Sequence, residues 1–140
     1  MECSIRPMET EDYDLVIALW SATDGIVLTD TDEKRPMEAF LSRNPGLSLV
    51  AHCGDELVGA VLCSQDGRRG YMHHLAVRKE FRRHGIGSAL VQECLFRLEH
   101  VGIRKCNVFI VPENQEAIEF WRHNGFNMLP QFDWMQAIIH

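Results

Sequence analysis

One stretch constrains the fold more than any other. From Leu75 to Ser88 the chain reads Leu-Ala-Val-Arg-Lys-Glu-Phe-Arg-Arg-His-Gly-Ile-Gly-Ser, which is an apolar strand followed by a basic turn and a glycine-bearing helix start. Arg78, Lys79, Arg82, Arg83 and His84 concentrate basic or titratable side chains in a chain with Asp+Glu 20 against Lys+Arg 14 and a net charge of −6. The first amides of a helix lack intrahelical partners and lie at the positive end of its dipole, so such a turn is suited to cradling a phosphate. Gly85 and Gly87 withhold the side chains that would keep a phosphate away. Two other phosphate patterns fail on spacing. A P-loop needs Lys after its last glycine, where this chain has Ser88-Ala89, and a dinucleotide Gly-x-Gly-x-x-Gly needs glycine at Leu90. The plainer alternative is a solvated basic turn with flexible glycines.

Around this stretch the pattern predicts alternating helices and strands. Cys3–Arg6 is extended, and a helix starting at Thr10 carries Leu15, Val16, Leu19 and Trp20 on one face before Asp24-Gly25 ends it. A second helix runs through Met37, Phe40 and Leu41. Leu47–Cys53 and Glu56–Ser64 form a hairpin at Gly54-Asp55, and Tyr71–Val77 adds a third antiparallel strand. Period two places Tyr71, His73, Leu75 and Val77 on one side of that strand and Met72, His74 and Ala76 on the other. A helix over Gly85–Val101 carries Ile86, Leu90, Cys94, Leu98 and Val101 at helical spacing. Lys105–Val111 reads as a buried strand, Asn114 as the cap of a helix ended by Gly125, and Phe126–Leu129 and Phe132–Ile139 as closing strands. The expected architecture is α/β, a mixed sheet of six to seven strands flanked by four helices.

A length of 140 residues fits one domain spanning 1–140. The acidic balance argues against nucleic acid or an anionic membrane as the main partner. No apolar run approaches the roughly 20 residues of a membrane span, and the N-terminus lacks a secretory pattern, so a cytoplasmic protein is expected. Cys3, Cys53, Cys63, Cys94 and Cys106 are odd in number and widely spaced, which reads as reduced core thiols.

Arg82-x-x-Gly85-x-Gly87 resembles the acetyl-CoA signature of the GNAT superfamily of N-acetyltransferases. His74-Leu75-Ala76-Val77 is similar to that family's central strand, and Asn114-x-x-Ala117-x-x-Phe120-Trp121-x-x-x-Gly125-Phe126 to its next motif. The resemblance covers essentially the whole chain. It implies that the pantetheine of acetyl-CoA pairs with the backbone of Leu75, Ala76 and Val77. It places the pyrophosphate on Arg82, Arg83, His84, Gly85, Ile86, Gly87 and Ser88, with Asn114 facing the cofactor. An amine then attacks the thioester carbonyl directly, and no metal is needed. Deprotonated amine, polarised carbonyl and protonated leaving thiolate are the chemical requirements.

The family pattern is broken at two places. Trp121 stands where a Tyr often protonates the leaving thiolate. An indole N–H is a donor that does not titrate near neutrality, so Trp121 either contacts the sulfur or packs, and water or Tyr71 supplies the proton if the thiolate takes one. The usual Glu base is replaced by Tyr71, which leaves His73 as the candidate base, its alternative being a packing role. Trp20 and Asp24, with Asp30, Asp32 and Glu33, suit a cationic amine by charge and cation–π contact, if they are not simply caps and solvated acids. The acceptor is then an amino group on a small molecule or peptide. Competing readings are a protein N-terminal or lysine acetyltransferase, a non-catalytic acyl-CoA-binding module, and a plain interaction domain. The final strand offers a surface for a homodimer.

Overall fold

The computed structural model describes residues 2–140, which group into two compact units dividing after Phe109. The first unit is built on a sheet of β1 (Cys3–Pro7), β2 (Leu49–Cys53), β3 (Glu56–Gln65), β4 (Gly70–Val77) and β5 (Cys106–Val108), in that spatial order. β1 to β4 are antiparallel, and β5 joins parallel to β4 after the crossover helix α3 (Ile86–His100), so the sheet is mixed. α1 (Tyr13–Ser21) and α2 (Lys34–Arg43) precede β2. The second unit contains α4 (Gln115–His123).

Val16, Leu19 and Trp20 of α1 and Met37 of α2 are buried with Val50, Leu57, Ala60, Leu62 and Ala76 of the sheet in one apolar cluster. The helical spacing of the α1 residues is what aims them at a single face. Leu15, expected on that face, is exposed, and so is Val101, expected on the buried face of α3 but lying just past its end. On α3, Ile86, Leu90, Val91, Cys94 and Leu98 are buried. Leu98 lies over the start of β4, where a Cβ on Gly70 would come within 2.7 Å of its Cδ1. Glycine is required there because the helix side chain occupies the space a side chain on the strand would need.

The N-terminal elements are tied to the sheet by charge. Arg6 on β1 donates to both carboxylate oxygens of Asp12 at 2.8 Å, and Asp12 also accepts from the Glu9 amide, closing a capping box at the turn before α1. Arg6 is the main cause of the low pKa of Asp12. The paired carboxylate is buried without being left unsatisfied.

Three expectations are corrected. Cys3 and Cys53 face each other across β1 and β2 and form a disulfide, so they are not free thiols, and the cysteines no longer argue for a reducing compartment. Cys63 and Cys94 are free and buried. The strand expected over Lys105–Val111 is shortened to Cys106–Val108 because its partner β4 changes course, as described below. The segments Phe126–Leu129 and Phe132–Ile139 form no strand, so the sheet has five strands among the described residues rather than six or seven. Alternating apolar residues specify a strand only where a backbone edge pairs with them, and Phe132, Trp134, Met135, Ile138 and Ile139 are instead exposed. The strand offered as a homodimer surface is therefore absent. No helix among the described residues is long and apolar enough to cross a membrane.

Two stability predictions arise. Gly70→Ala overpacks the Leu98 contact and lowers stability by about 1–3 kcal/mol in denaturant titration. Reducing Cys3–Cys53, which closes a 50-residue separation, lowers it by about 2–4 kcal/mol, seen as a fall in melting temperature on adding dithiothreitol.

Candidate active site

β4 does not keep a regular ladder with β3. Val77 and Ala76 stand opposite Gly59 and Ala60, but His73 stands opposite Leu62, so β4 carries one extra residue in this interval. His74 absorbs it with φ of 55°, a left-handed conformation that few non-glycine residues adopt. Such a bulge bends the strand and interrupts its pairing. β5 pairs with β4 only from Gly70↔Cys106 to Met72↔Val108. From His73 to Val77, β4 has β3 on one side and no β5 partner on the other.

The bulge also overturns the simple alternation of side chains. His74 packs edge-on against Trp20 with ring centroids 4.9 Å apart, while His73 is paired with Leu62, a member of the same buried cluster as Trp20. His73 and His74 therefore share the α1 side of the sheet. Beyond the bulge it is Ala76, not Leu75 or Val77, that joins this cluster. Tyr71 and His73 lie together at the point where the strands part, Tyr71 stacked on Phe109 with centroids 6.3 Å apart and His73 tilted against it at 5.7 Å. His73 is half-buried, and its pKa is lowered first by burial and then by His74, with Asp32 opposing.

The acidic loop is arranged differently from the sequence expectation. Trp20 is completely buried, its ring covered by His74, so it lies in the core and not on a pocket wall. Its indole N–H has no partner among the described residues. Asp24 is exposed in the turn after α1. Asp32 is the acid that turns inward: it is buried, accepts from the Thr29 amide at 3.0 Å and lies 3.0 Å from Nε2 of His74. Thr29-x-x-Asp32 is a legible capping box, but nothing in the sequence names His74 as its partner.

At its far end β4 leads into the basic turn. Arg78 is engaged with Glu56 and Glu80, and Arg82 donates through Nε to the Val77 carbonyl at 2.9 Å. Arg83 has φ of 66° and Gly85 has φ of 81°. Gly85 is the N-cap of α3 and offers no side-chain cap, so the first-turn amides of Ile86, Gly87 and Ser88 have no capping group from it. Arg83, His84 and Gly85 are exposed, and a Cβ at Gly85 would meet no protein atom, which is open ground for an anion.

In the second unit, Asn114 caps α4 by accepting from the Ala117 amide at 3.0 Å. Trp121 is half-buried and packs edge-to-face with Phe120 and Phe126 at 5.3 and 5.0 Å. Among the described residues no three His, Cys, Asp or Glu side chains gather into a cation site.

Known proteins share this fold. An acetyltransferase of Photorhabdus laumondii is 36% identical over 113 residues, covering 81% of this chain and 78% of that one. The structure of Ard1 from Thermoplasma volcanium superposes with a TM-score of 0.82 at 22% identity, covering 92% of this chain and 85% of that one. The PaiA N-acetyltransferase of Thermoplasma acidophilum, crystallised with coenzyme A, gives 0.77 at 20% identity, with 91% of each chain covered. The model of the acetyltransferase (GNAT) family matches residues 13–126, and the chain belongs to that family.

Proposed function

We propose that this chain is an N-acetyltransferase that moves an acetyl group directly from acetyl-CoA to an amino group on a small molecule or peptide, as a single domain over 1–140. The observation that carries this reading is the open edge of β4 from His73 to Val77 running into the basic, glycine-bearing start of α3. From His73 to Ala76 the edge offers the backbone groups that an extended amide-bearing pantetheine needs, and the turn from Arg82 to Gly87 offers the glycines and positive charge that suit a pyrophosphate. Acetyl-CoA is the donor; its thioester supplies an activated acetyl carbon.

His73 is the base. It lies beside the parting of β4 and β5, and its lowered pKa keeps the imidazole neutral below the ordinary midpoint near 6.5. It takes a proton from the acceptor nitrogen as the amine attacks the thioester carbonyl; the N–C bond forms, the C–S bond breaks, and the thiolate departs. Tyr71, on the same face, has the phenolic O–H that meets that thiolate. Trp121 is assigned to packing, on the strength of its two aromatic neighbours. The fully buried Trp20 is withdrawn from acceptor binding.

Titration calorimetry with acetyl-CoA and free CoA tests the donor site. Saturable binding is expected, and Gly85→Val, which places branched carbons on the cradle, weakens it by about tenfold or more, the equivalent of losing one or two amide contacts. An unchanged affinity would remove the cradle from this turn. With a competent amine, His73→Gln lowers kcat by about 10²-fold or more and removes the acidic limb of the kcat/KM profile, which in the wild type lies below pH 6.5 because the folded pKa is depressed. A limb at or above the unperturbed value would assign the base elsewhere.

A further inference from the structure

Resting on the function just proposed, we propose that Asp32 and His74 form a positioning pair that holds the β4 bulge in the geometry acetyl transfer requires, with neither residue touching the reacting atoms. The first observation is the backbone of His74. A left-handed residue with a Cβ is strained, and such conformations persist where the surroundings over-determine them. Here the surroundings are specific. Nε2 of His74 lies 3.0 Å from Oδ1 of Asp32. An ionised carboxylate only accepts, so Nε2 carries the hydrogen and the ring is held in one orientation.

Asp32 is itself fixed from two further directions. Its second carboxylate oxygen accepts from the Thr29 amide at 3.0 Å, and its carbonyl accepts from the Tyr13 hydroxyl at 2.7 Å. Trp20 closes the other side of the imidazole, edge-on at 4.9 Å. The left-handed residue is thus clamped between α1, the turn at Asp30–Asp32 and β3. A buried carboxylate is costly without a partner, and His74 is the side chain that compensates it.

The consequence falls on the neighbouring residue. His73 precedes the bulge, and the open edge of β4 begins at the same point. A rotation at His74 turns His73 relative to the edge that would hold the thioester, which misaligns the base without removing the edge. The same packing links the loop before α2 to the reaction centre, since Asp32 belongs to that loop. The groups whose charge acts on His73 are His74 on its own strand and Asp32 from the turn packed against it, with opposite signs.

The test uses His74→Gly, His74→Ala and His74→Asn in the full chain, with an amine on which the wild type turns over. Circular dichroism and the CoA dissociation constant report folding and donor binding. Glycine accepts the positive φ but loses Asp32, alanine loses both, and asparagine keeps tolerance of positive φ together with an N–H donor. The glycine and alanine variants are expected to lose about 10²-fold in kcat with the KM for acetyl-CoA changed by no more than about twofold, and asparagine to recover part of the loss. The acidic limb of kcat/KM shifts up in His74→Asn, which removes the group that lowers His73, and down in Asp32→Asn, which removes the charge that raises it. Wild-type kcat in the glycine and alanine variants, or limbs that shift in the same direction, would overturn the pair as a positioning device and leave it a packing contact. A wild-type protein that binds CoA yet acetylates no amine overturns the function itself and is told apart by the wild-type measurement alone.

Discussion

The extra residue in β4 governs the site. Regular strands keep pairing until they run out of residues, but a strand with one residue too many must bend and surrender part of its ladder. Here the surrender comes after Met72, and it leaves five residues of β4 with one edge unpaired. An unpaired edge inside a folded chain is ordinarily a liability, exposing donors and acceptors that other backbones can capture. In this protein it lies between the Tyr71, His73 and Phe109 rings and the basic turn, at the place where the proposed function puts the extended arm of the donor.

Charge is used locally against the sign of the whole molecule. The chain is acidic by six charges, yet the acids nearest the structural heart are consumed in pairs: Asp12 by Arg6, Asp32 by His74. The basic turn is partly neutralised in the same way, Arg78 by Glu56 and Glu80, while Arg82 holds the end of β4 through the Val77 carbonyl. Lys79, Arg83 and His84 are left toward solvent. That arrangement suits a ligand whose charge is concentrated at one end and whose remainder is an extended chain along β4.

Much of this is legible in the sequence. Helical spacing identified the buried faces of α1 and α3, and the hairpin at Gly54-Asp55 joined the strands it was read to join. The glycine pattern at Gly85 and Gly87 marked the start of α3, which is the part of the site built from consecutive residues. The failures have a common cause. The short β5, the absent closing strands, the Cys3–Cys53 bond and the inward turn of Asp32 all depend on which backbone or side chain lies across the fold, and sequence spacing carries no record of that partner.

Period two misplaced His74 for the same reason. An alternation rule assumes that both strands advance together, and only the register of β3 against β4 reveals that they do not. The order of elements up to β5, the helix faces and the basic turn belong to the sequence by itself, because each rests on contacts between residues a few positions apart. The shared face of His73 and His74, the clamp of Asp32 and the opening of β4 were decided by tertiary structure, because each balances a local strain against partners that folding brings from elsewhere in the chain.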